Sequence, residues 1–330
     1  MLRNVDTLRI PADPLKGASA GIHVPLCAET PRRVAATEPR DPGLSAPPVA
    51  RASLLLSLTL FGLVTTGAAQ VAPTPQRVAS LNLASDEILA DILPLTRLVA
   101  VTALVDEAGT SNVVGRIPKT IARFPKVDVE RLIALKPDLV VVSEYTDADV
   151  LRSIRQSGLK VHRMTGLDSL AGFRRALLDL GDVVGEETAA TKLATDFDAR
   201  LGEIERRLQG AARPKLLYWA SGFTAGSKTA FDALIGCGGG LNAAALAGIS
   251  GITPLGAERA YRLDPDWLFI GSHTTTAKEI HEHPLLSRMR AVKTGQVVEM
   301  PTELLVALNH HAARSCEFMA RSLHKERFAK

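Results

Sequence analysis

Aromatic residues are scarce in this chain of 330 residues, since Phe, Tyr and Trp together make up 4%. Proteins that stack nucleic-acid bases along an open groove carry more of them. Opposite charges nearly balance, with 39 Lys and Arg against 35 Asp and Glu, and no basic tract stands out. We therefore expect no nucleic-acid partner.

The chain also lacks an apolar run of the roughly 20 residues that a membrane-spanning helix needs. A shorter run, residues 54–64 (LLLSLTLFGLV), follows Arg51 and precedes the small residues 67–69 (GAA). This order is typical of a secretory signal peptide, and a short buried core helix is the alternative. We expect residues 1–69 to be an N-terminal extension and signal peptide, cleaved near Ala69, and the remainder to be periplasmic.

Cysteine is rare, with three residues in all. Cys27 lies in the expected extension, which leaves Cys237 and Cys316 in the exported part. An even pair in an oxidising compartment predicts a disulfide, and two buried free thiols are the alternative. Closing a loop of about 80 residues stabilises a fold by roughly 4 kcal/mol in chain-entropy terms.

Signatures of catalysis are missing as well. Residues 222–229 (GFTAGSKT) nearly match a phosphate loop, but Ser227 stands where the second glycine is required. Residues 236–241 (GCGGGL) lack the last glycine of the dinucleotide-binding pattern, and no G-x-S-x-G occurs. We predict that the protein is not an enzyme and has no cofactor.

The chain does contain one short sequence motif that occurs twice. Residues 130–138 (ERLIALKPD) precede the apolar stretch LVVVS, and residues 258–266 (ERAYRLDPD) precede WLFIGS. A helix must end before each proline, because the residue preceding proline is pushed out of the helical region. A continuously apolar strand is typical of a parallel sheet that is buried on both faces.

Around each copy of the motif, predicted strands alternate with predicted helices. This alternation predicts a parallel α/β sheet in each half of the chain. In the first half Ser85 is expected to cap a helix. The strands predicted at the start of the halves are 77–82 and 214–221, and the predicted helices are 85–92, 147–157, 229–235 and 284–291.

Between the halves, residues 186–209 carry an apolar stripe at helical spacing, namely Leu193, Phe197, Leu201, Ile204 and Leu208. Charged pairs at i,i+4, Asp196 with Arg200 and Glu203 with Arg207, flank it. We predict two Rossmann-like α/β lobes with parallel sheets, 70–185 and 211–330, joined by one long interdomain helix, 186–210. Open sheets of this kind bind ligands in the crevice beyond the strand ends.

With these marks the chain resembles the periplasmic binding proteins of ABC importers for iron-siderophores, haem and cobalamin. The resemblance covers about residues 77–324 and implies a monomer that captures a bulky metal-chelate ligand and delivers it to ABC permease transmembrane subunits. It also implies that Cys237 and Cys316 form the disulfide of the cobalamin-binding member. Glu130 and Glu258, seven residues before each motif proline, are implied to dock on arginines of the permease.

The ligand is expected to contact residues in the loops that follow the strands. The predicted cleft residues are Asn82, Ser85, Phe124, Ser143, Tyr145, Trp219, Ser221, Phe223, His273 and Thr302. The cobalamin-binding member has tryptophans at the places of Phe124 and Ile252. The alternatives are an exported zinc or manganese binding protein and an exported enzyme on the same scaffold.

Histidines are not expected to form a metal site. His281 and His283, like His310 and His311, are too close in sequence to face one point from a regular helix, where neighbours lie three or four residues apart. We expect these four histidines to lie on the surface. His273 alone follows a strand into the predicted cleft, where it could contact a ligand.

Overall fold

Five parallel strands form the first sheet of the computed structural model, which describes residues 73–272 and 274–329. Its strands are β1 (Val78–Ser80), β2 (Leu98–Thr102), β3 (Ala122–Phe124), β4 (Leu139–Ser143) and β5 (Val161–Met164). Their order is β3-β2-β1-β4-β5. The accompanying helices are α1 (Leu83–Ile92), α2 (Val129–Ala134), α3 (Ala148–Gln156) and α4 (Leu170–Val184). We call this part the N-terminal lobe.

After α5 (Glu187–Leu208), a second parallel sheet and a small antiparallel ribbon form the C-terminal lobe. The strands are β6 (Lys215–Tyr218), β7 (Phe223–Ala225), β8 (Leu241–Asn242), β9 (Ile252–Pro254), β10 (Trp267–Gly271) and β11 (Val297–Met300). The sheet order is β11-β10-β6-β8, and β7 pairs with β9. The helices are α6 (Ala230–Cys237), α7 (Ala243–Leu246), α8 (Ala257–Leu263), α9 (Ala277–Glu282), α10 (Arg290–Lys293), α11 (Thr302–Leu305) and α12 (Ala312–Leu323). The predicted fold class, two parallel α/β lobes and a long joining helix, is confirmed.

The aspartate at the end of each copy of the motif connects the strand that follows it to the first strand of the lobe through hydrogen bonds. Asp138 accepts hydrogen bonds from the backbone N–H groups of Gln76 (2.6 Å) and Arg77 (2.9 Å), just before β1. Asp266 accepts one from the N–H of Lys215 (2.7 Å), at the start of β6. The sequence pattern predicts only a turn at these aspartates, whereas they also set where β1 meets β4 and where β6 meets β10.

Helix α5 packs against helices of both lobes. Its buried residues include Phe197 and Ile204 of the predicted stripe, and the helix packs on α4 and α12. One apolar cluster runs from β1 through α5 to β6 and β10. The apolar core is therefore continuous between the two lobes. The predicted lobe boundaries, 70–185 and 211–330, stay a prediction. The predicted Asp196–Arg200 pair is not formed, and Asp196 instead lies 3.4 Å from the amine of Lys192.

Two local predictions are wrong. Asn82 caps α1, where its side chain accepts the N–H of Ser85, because the helix begins two residues earlier than expected. The predicted helix 284–291 is broken into a short 3₁₀ turn, Leu286–Arg288, and α10, since Met289 between them is extended.

Cys237, the last residue of α6, and the buried Cys316 of α12 form a disulfide with a Cα–Cα distance of 5.5 Å. In the part of the chain that the structure describes, no helix is long and apolar enough to cross a membrane.

Candidate ligand-binding site

The ribbon of β7 and β9 presents an apolar face to solvent at the strand-end side of the C-terminal lobe. Phe223 pairs with Pro254, and Ala225 pairs with Ile252, so these four side chains share one face. Phe223 is 48% exposed and Ile252 is 52% exposed. Diagonal neighbours on such a face lie about 7–8 Å apart, close enough to contact one ligand together. Phe223 therefore supplies an aromatic ring beside the isoleucine.

Trp219 packs behind this ribbon, on the side away from solvent, and does not line its exposed face. The indole is buried, and its Nε1–H donates to the carbonyl oxygen of Leu255 at 2.8 Å, directly after β9. A buried tryptophan needs such a partner for its N–H group. Trp219 thus helps to position β9, and its direct contact with a ligand stays a prediction.

In the N-terminal lobe, Tyr145 follows β4 and is 46% exposed, as predicted. Its hydroxyl donates to the carbonyl oxygen of Leu167 at 3.3 Å, which holds the ring against the loop after β5. Burial of the hydroxyl, with the nearby carboxylates of Glu144 and Asp168, raises the pKa of Tyr145 to about 12. The phenol is therefore neutral at physiological pH and can donate or accept a hydrogen bond.

Three other predicted cleft residues are buried, and their side chains do not line an open surface. Ser85 lies inside α1, where its hydroxyl is 2.6 Å from that of Ser80. Phe124 belongs to the apolar core, and the guanidinium of Arg131 covers its ring at 4.7 Å. Ser143 is the last residue of β4 and is covered as well. Sequence position at a strand end could not distinguish inward from outward side chains.

The remaining predicted residues are polar. Asn82 lies after β1, and its side-chain nitrogen, covered from solvent, has no hydrogen-bond partner among the described residues. Ser221 is exposed in a left-handed conformation (φ 47°), and its hydroxyl donates to the carbonyl oxygen of Thr274. Thr302 is half-buried at the start of α11. His273 lies outside the described residues.

Direct hydrogen bonds join the two lobes beyond the ends of β2 and β11. The N–H of Glu303 donates to the carbonyl oxygen of Gly109 at 3.0 Å. Asn112 donates to the carbonyl oxygen of Glu303 at 3.2 Å and accepts from Arg314 at 2.8 Å. These contacts connect the loop after β2 to the segment after β11 and to α12.

Two adjacent carboxyl groups of α1, those of Asp86 and Glu87, are buried beneath these contacts. Glu87 accepts from the Asn112 backbone (2.7 Å) and from the side chain of buried Asn309 (2.7 Å), which comes from the other lobe. The sequence pattern indicated ordinary acidic residues in the first turn of a helix. Nothing local distinguishes such a residue from one that is buried by a partner more than 200 residues away.

Two shallow depressions of about 500 Å³ lie on the C-terminal lobe. One borders Arg213, Asp266 and His324, and the other borders Tyr261 and Arg290. Neither includes a residue of the predicted cleft. The candidate site is therefore a set of exposed side chains that lies outside both depressions.

Comparison with known proteins identifies the family. A family model described as "periplasmic binding protein" matches residues 78–304. The chain belongs to the periplasmic binding protein family. A cobalamin-binding protein of Halobacterium salinarum is 25% identical over 256 residues, which are 75% of this chain and 68% of the relative.

A second relative of this periplasmic binding protein is the uncharacterized ABC transporter substrate-binding lipoprotein YvrC of Bacillus subtilis, 23% identical over 64% of this chain and 71% of YvrC. Among solved structures, the periplasmic heme-binding protein RhuT from Roseiflexus sp. RS-1 superposes with a TM-score of 0.66. RhuT is 20% identical, and the match covers 76% of this chain and 99% of RhuT. This similarity shows the shared fold.

Each lobe of this periplasmic binding protein exposes one glutamate at an equivalent place. Glu130 is the second residue of α2, and Glu258 is the second residue of α8. Both are exposed, and neither has an ion-pair partner within residues 73–272 and 274–329. The residue before each motif proline, Lys136 or Asp264, adopts a left-handed conformation (φ 48° and 39°). The repetition is therefore structural as well as sequential.

We expect Asp86→Asn to flatten the pH dependence of stability of this periplasmic binding protein. Burial raises the pKa of Asp86 from 3.8 to about 8, although the hydrogen bonds that its carboxylate accepts from Thr102 act in the opposite direction. Between about pH 4 and pH 8 the folded state thus holds a proton that the unfolded chain releases, so the free energy of unfolding falls as pH rises. Asparagine carries no charge at any pH, yet it can still accept from Thr102.

The measurement is urea unfolding at pH 5, 6, 7 and 8, with Asp149→Asn, an exposed position on α3, as the control. The wild-type and control midpoints should decline together towards pH 8, and that of Asp86→Asn should decline less. Parallel curves for all three proteins would show that Asp86 is ionised in the folded state.

Proposed function

We propose that this protein is an exported, monomeric substrate-binding protein of an ABC importer. It captures a bulky metal chelate, either cobalamin or a ferric siderophore or haem-type ligand, between its lobes and delivers it to membrane permease subunits. The observation that carries this proposal is the exposed apolar face of Phe223 and Ile252 on the β7–β9 ribbon. Export with cleavage near Ala69 is part of the proposal.

The chemistry of this face suits a large ligand better than a bare ion. Flat apolar side chains contact a macrocycle over a wide area, and a few polar groups fix its orientation. Asn82, Tyr145, Ser221 and Thr302 are the polar candidates. None of these six side chains belongs to the single cluster of three metal-ligating residues found in the described part of the chain.

The relatives support the same class of cargo without selecting one member. One relative is a cobalamin-binding protein, and a structural neighbour is a heme-binding protein. Each of these ligands contains a macrocycle that holds a metal. The alternatives remain direct capture of a zinc or manganese ion, and catalysis on the same scaffold.

We expect Phe223→Ala to weaken cargo binding by about 30-fold or more, because a central aromatic contact of an interface is worth about 2 kcal/mol or more. Ile252→Ala should have a smaller effect in the same direction. The matched control is Ile133→Ala on α2, whose side chain is similarly exposed, at 44%. Affinity is measured by isothermal titration with cyanocobalamin, hemin and a ferric siderophore, each in turn.

The same titrations separate the alternatives. Stoichiometric binding of one chelate, with the absorption spectrum of that chelate retained, supports the proposal. Binding of Zn²⁺ or Mn²⁺ alone, in a manner sensitive to Phe223→Ala or Ile252→Ala, would favour an ion-binding protein. Conversion of the chelate into a product would favour an enzyme, and equal affinities for Phe223→Ala and Ile133→Ala would remove the ribbon from the site.

A further inference from the structure

Three metal-ligating side chains from distant parts of the chain meet at the contact between the lobes. Asp91 lies near the end of α1, and His310 and His311 lie immediately before α12. Oδ2 of Asp91 is 2.9 Å from Nε2 of His310 and 3.4 Å from Nε2 of His311. One ligand atom from each residue falls within 4.8 Å of the other two.

The two adjacent histidines converge because they do not lie within a regular helix. They form a turn between Asn309 and α12, and their ring centroids are 4.1 Å apart at an interplanar angle of 39°. Asn309 holds this turn: its Oδ1 accepts the N–H of His311 at 2.8 Å, and its Nδ2 donates to buried Glu87. The expectation of four surface histidines is therefore wrong for this pair.

The two separations measured from Oδ2 of Asp91 suit a tetrahedral metal. Zinc bound at about 2.0–2.1 Å places its ligand atoms about 3.3–3.5 Å apart, and the two distances from Asp91 lie within a few tenths of an ångström of that value. Two imidazoles and one carboxylate are also the donor set of zinc sites that keep a fourth position for water. The exposed fractions of the three side chains are 15% for Asp91, 9% for His310 and 15% for His311.

The hydrogen bonding of the cluster leaves nitrogen atoms unused. Nε2 of His310 is within hydrogen-bond distance of Oδ2 of Asp91, whereas the buried Nε2 of His311, which faces the same oxygen, has no hydrogen-bond partner among the described residues, and neither has Nδ1 of His310. Buried polar atoms without a partner are uncommon and costly. Arg116 binds the other carboxylate oxygen of Asp91 at 2.5 Å, which orients Oδ2 towards the histidines.

We propose that Asp91, His310 and His311 bind one divalent transition-metal ion of the zinc class, which links the N-terminal lobe to the segment before α12. The site is distinct from the proposed cargo site. Asp91 lies nine residues after Asn82, the cap of α1 at the strand ends, and a helix of that length rises about 13 Å. A metal held there would stabilise the folded protein and fix the contact between the lobes.

The test uses the purified protein, stripped with EDTA and titrated with Zn²⁺ alone in equilibrium dialysis. We expect one equivalent to bind and the melting temperature to rise. His311→Ala and Asp91→Asn should each weaken this binding at least tenfold and remove the rise. His281→Ala, on exposed α9, is the matched control and should behave as wild type.

X-ray absorption of the zinc-loaded wild-type protein provides a readout that does not depend on variants. Two imidazoles and an oxygen at about 2.0–2.1 Å are expected, and a shell without imidazole would overturn the proposal. It would equally fail if wild type bound no zinc, or if His311→Ala and Asp91→Asn bound it as tightly as His281→Ala. Circular dichroism of the metal-free variants identifies any that do not fold, and His310→Gln then takes their place.

Discussion

Replacing Glu130 and Glu258 together by alanine is expected to abolish cargo uptake through the permease and to leave cargo affinity unchanged. Each carboxylate is exposed in the first turn of a short helix, one in each lobe, and neither has an ion-pair partner among the described residues. Two charges held at a fixed separation orient a docking partner, and such rim charges govern registration and association rate. The single variants should retain partial uptake.

The measurement is transport in vesicles that contain the reconstituted permease, with cargo affinity determined separately on the same variants. Glu187→Ala with Glu205→Ala, two exposed positions on α5, is the matched control because it removes the same charge elsewhere. Uptake by the Glu130–Glu258 double variant at the control rate would contradict docking. A parallel loss of cargo affinity would instead place the two glutamates in the binding site.

Removing the disulfide should produce the largest change in stability. The Cys237–Cys316 bond closes 79 residues of chain, and by loop entropy its loss lowers the free energy of unfolding by about 4 kcal/mol. The bond also joins α6 to α12, the helix that follows the histidine pair and packs on α5. We expect Cys237→Ala with Cys316→Ala to fold, but with a much lower urea midpoint.

Urea unfolding with and without dithiothreitol tests this expectation. Reductant should lower the stability of wild type nearly to that of the double variant and should leave the variant itself unchanged. If the variant and wild type differed by less than about 1 kcal/mol, the loop-closure argument would be wrong for this protein.

Much of the fold could be predicted because it depends on short-range patterns. The helix before each of the two motif prolines ends there, and the apolar stretch after each proline forms a largely buried strand, β4 or β10. The stripe that includes Phe197 and Ile204 predicted α5. The candidate site could be predicted less well from such local patterns. Phe124 and Trp219 are buried whereas Phe223 is exposed, and that difference depends on what packs over each ring.

The sequence by itself determined the two parallel α/β lobes, the long helix between them and the pairing of the two cysteines. The lobes and the helix follow from the spacing of apolar residues and prolines, which acts over a few residues. The cysteine pairing was predicted because only Cys237 and Cys316 remain after the expected N-terminal extension. Only the tertiary structure decided that Asp138 and Asp266 hold the first strands, that Asp86 is buried, and that His310 and His311 meet Asp91. Such contacts join residues far apart in the chain, and no local pattern encodes them because their partners are chosen by packing of the whole fold.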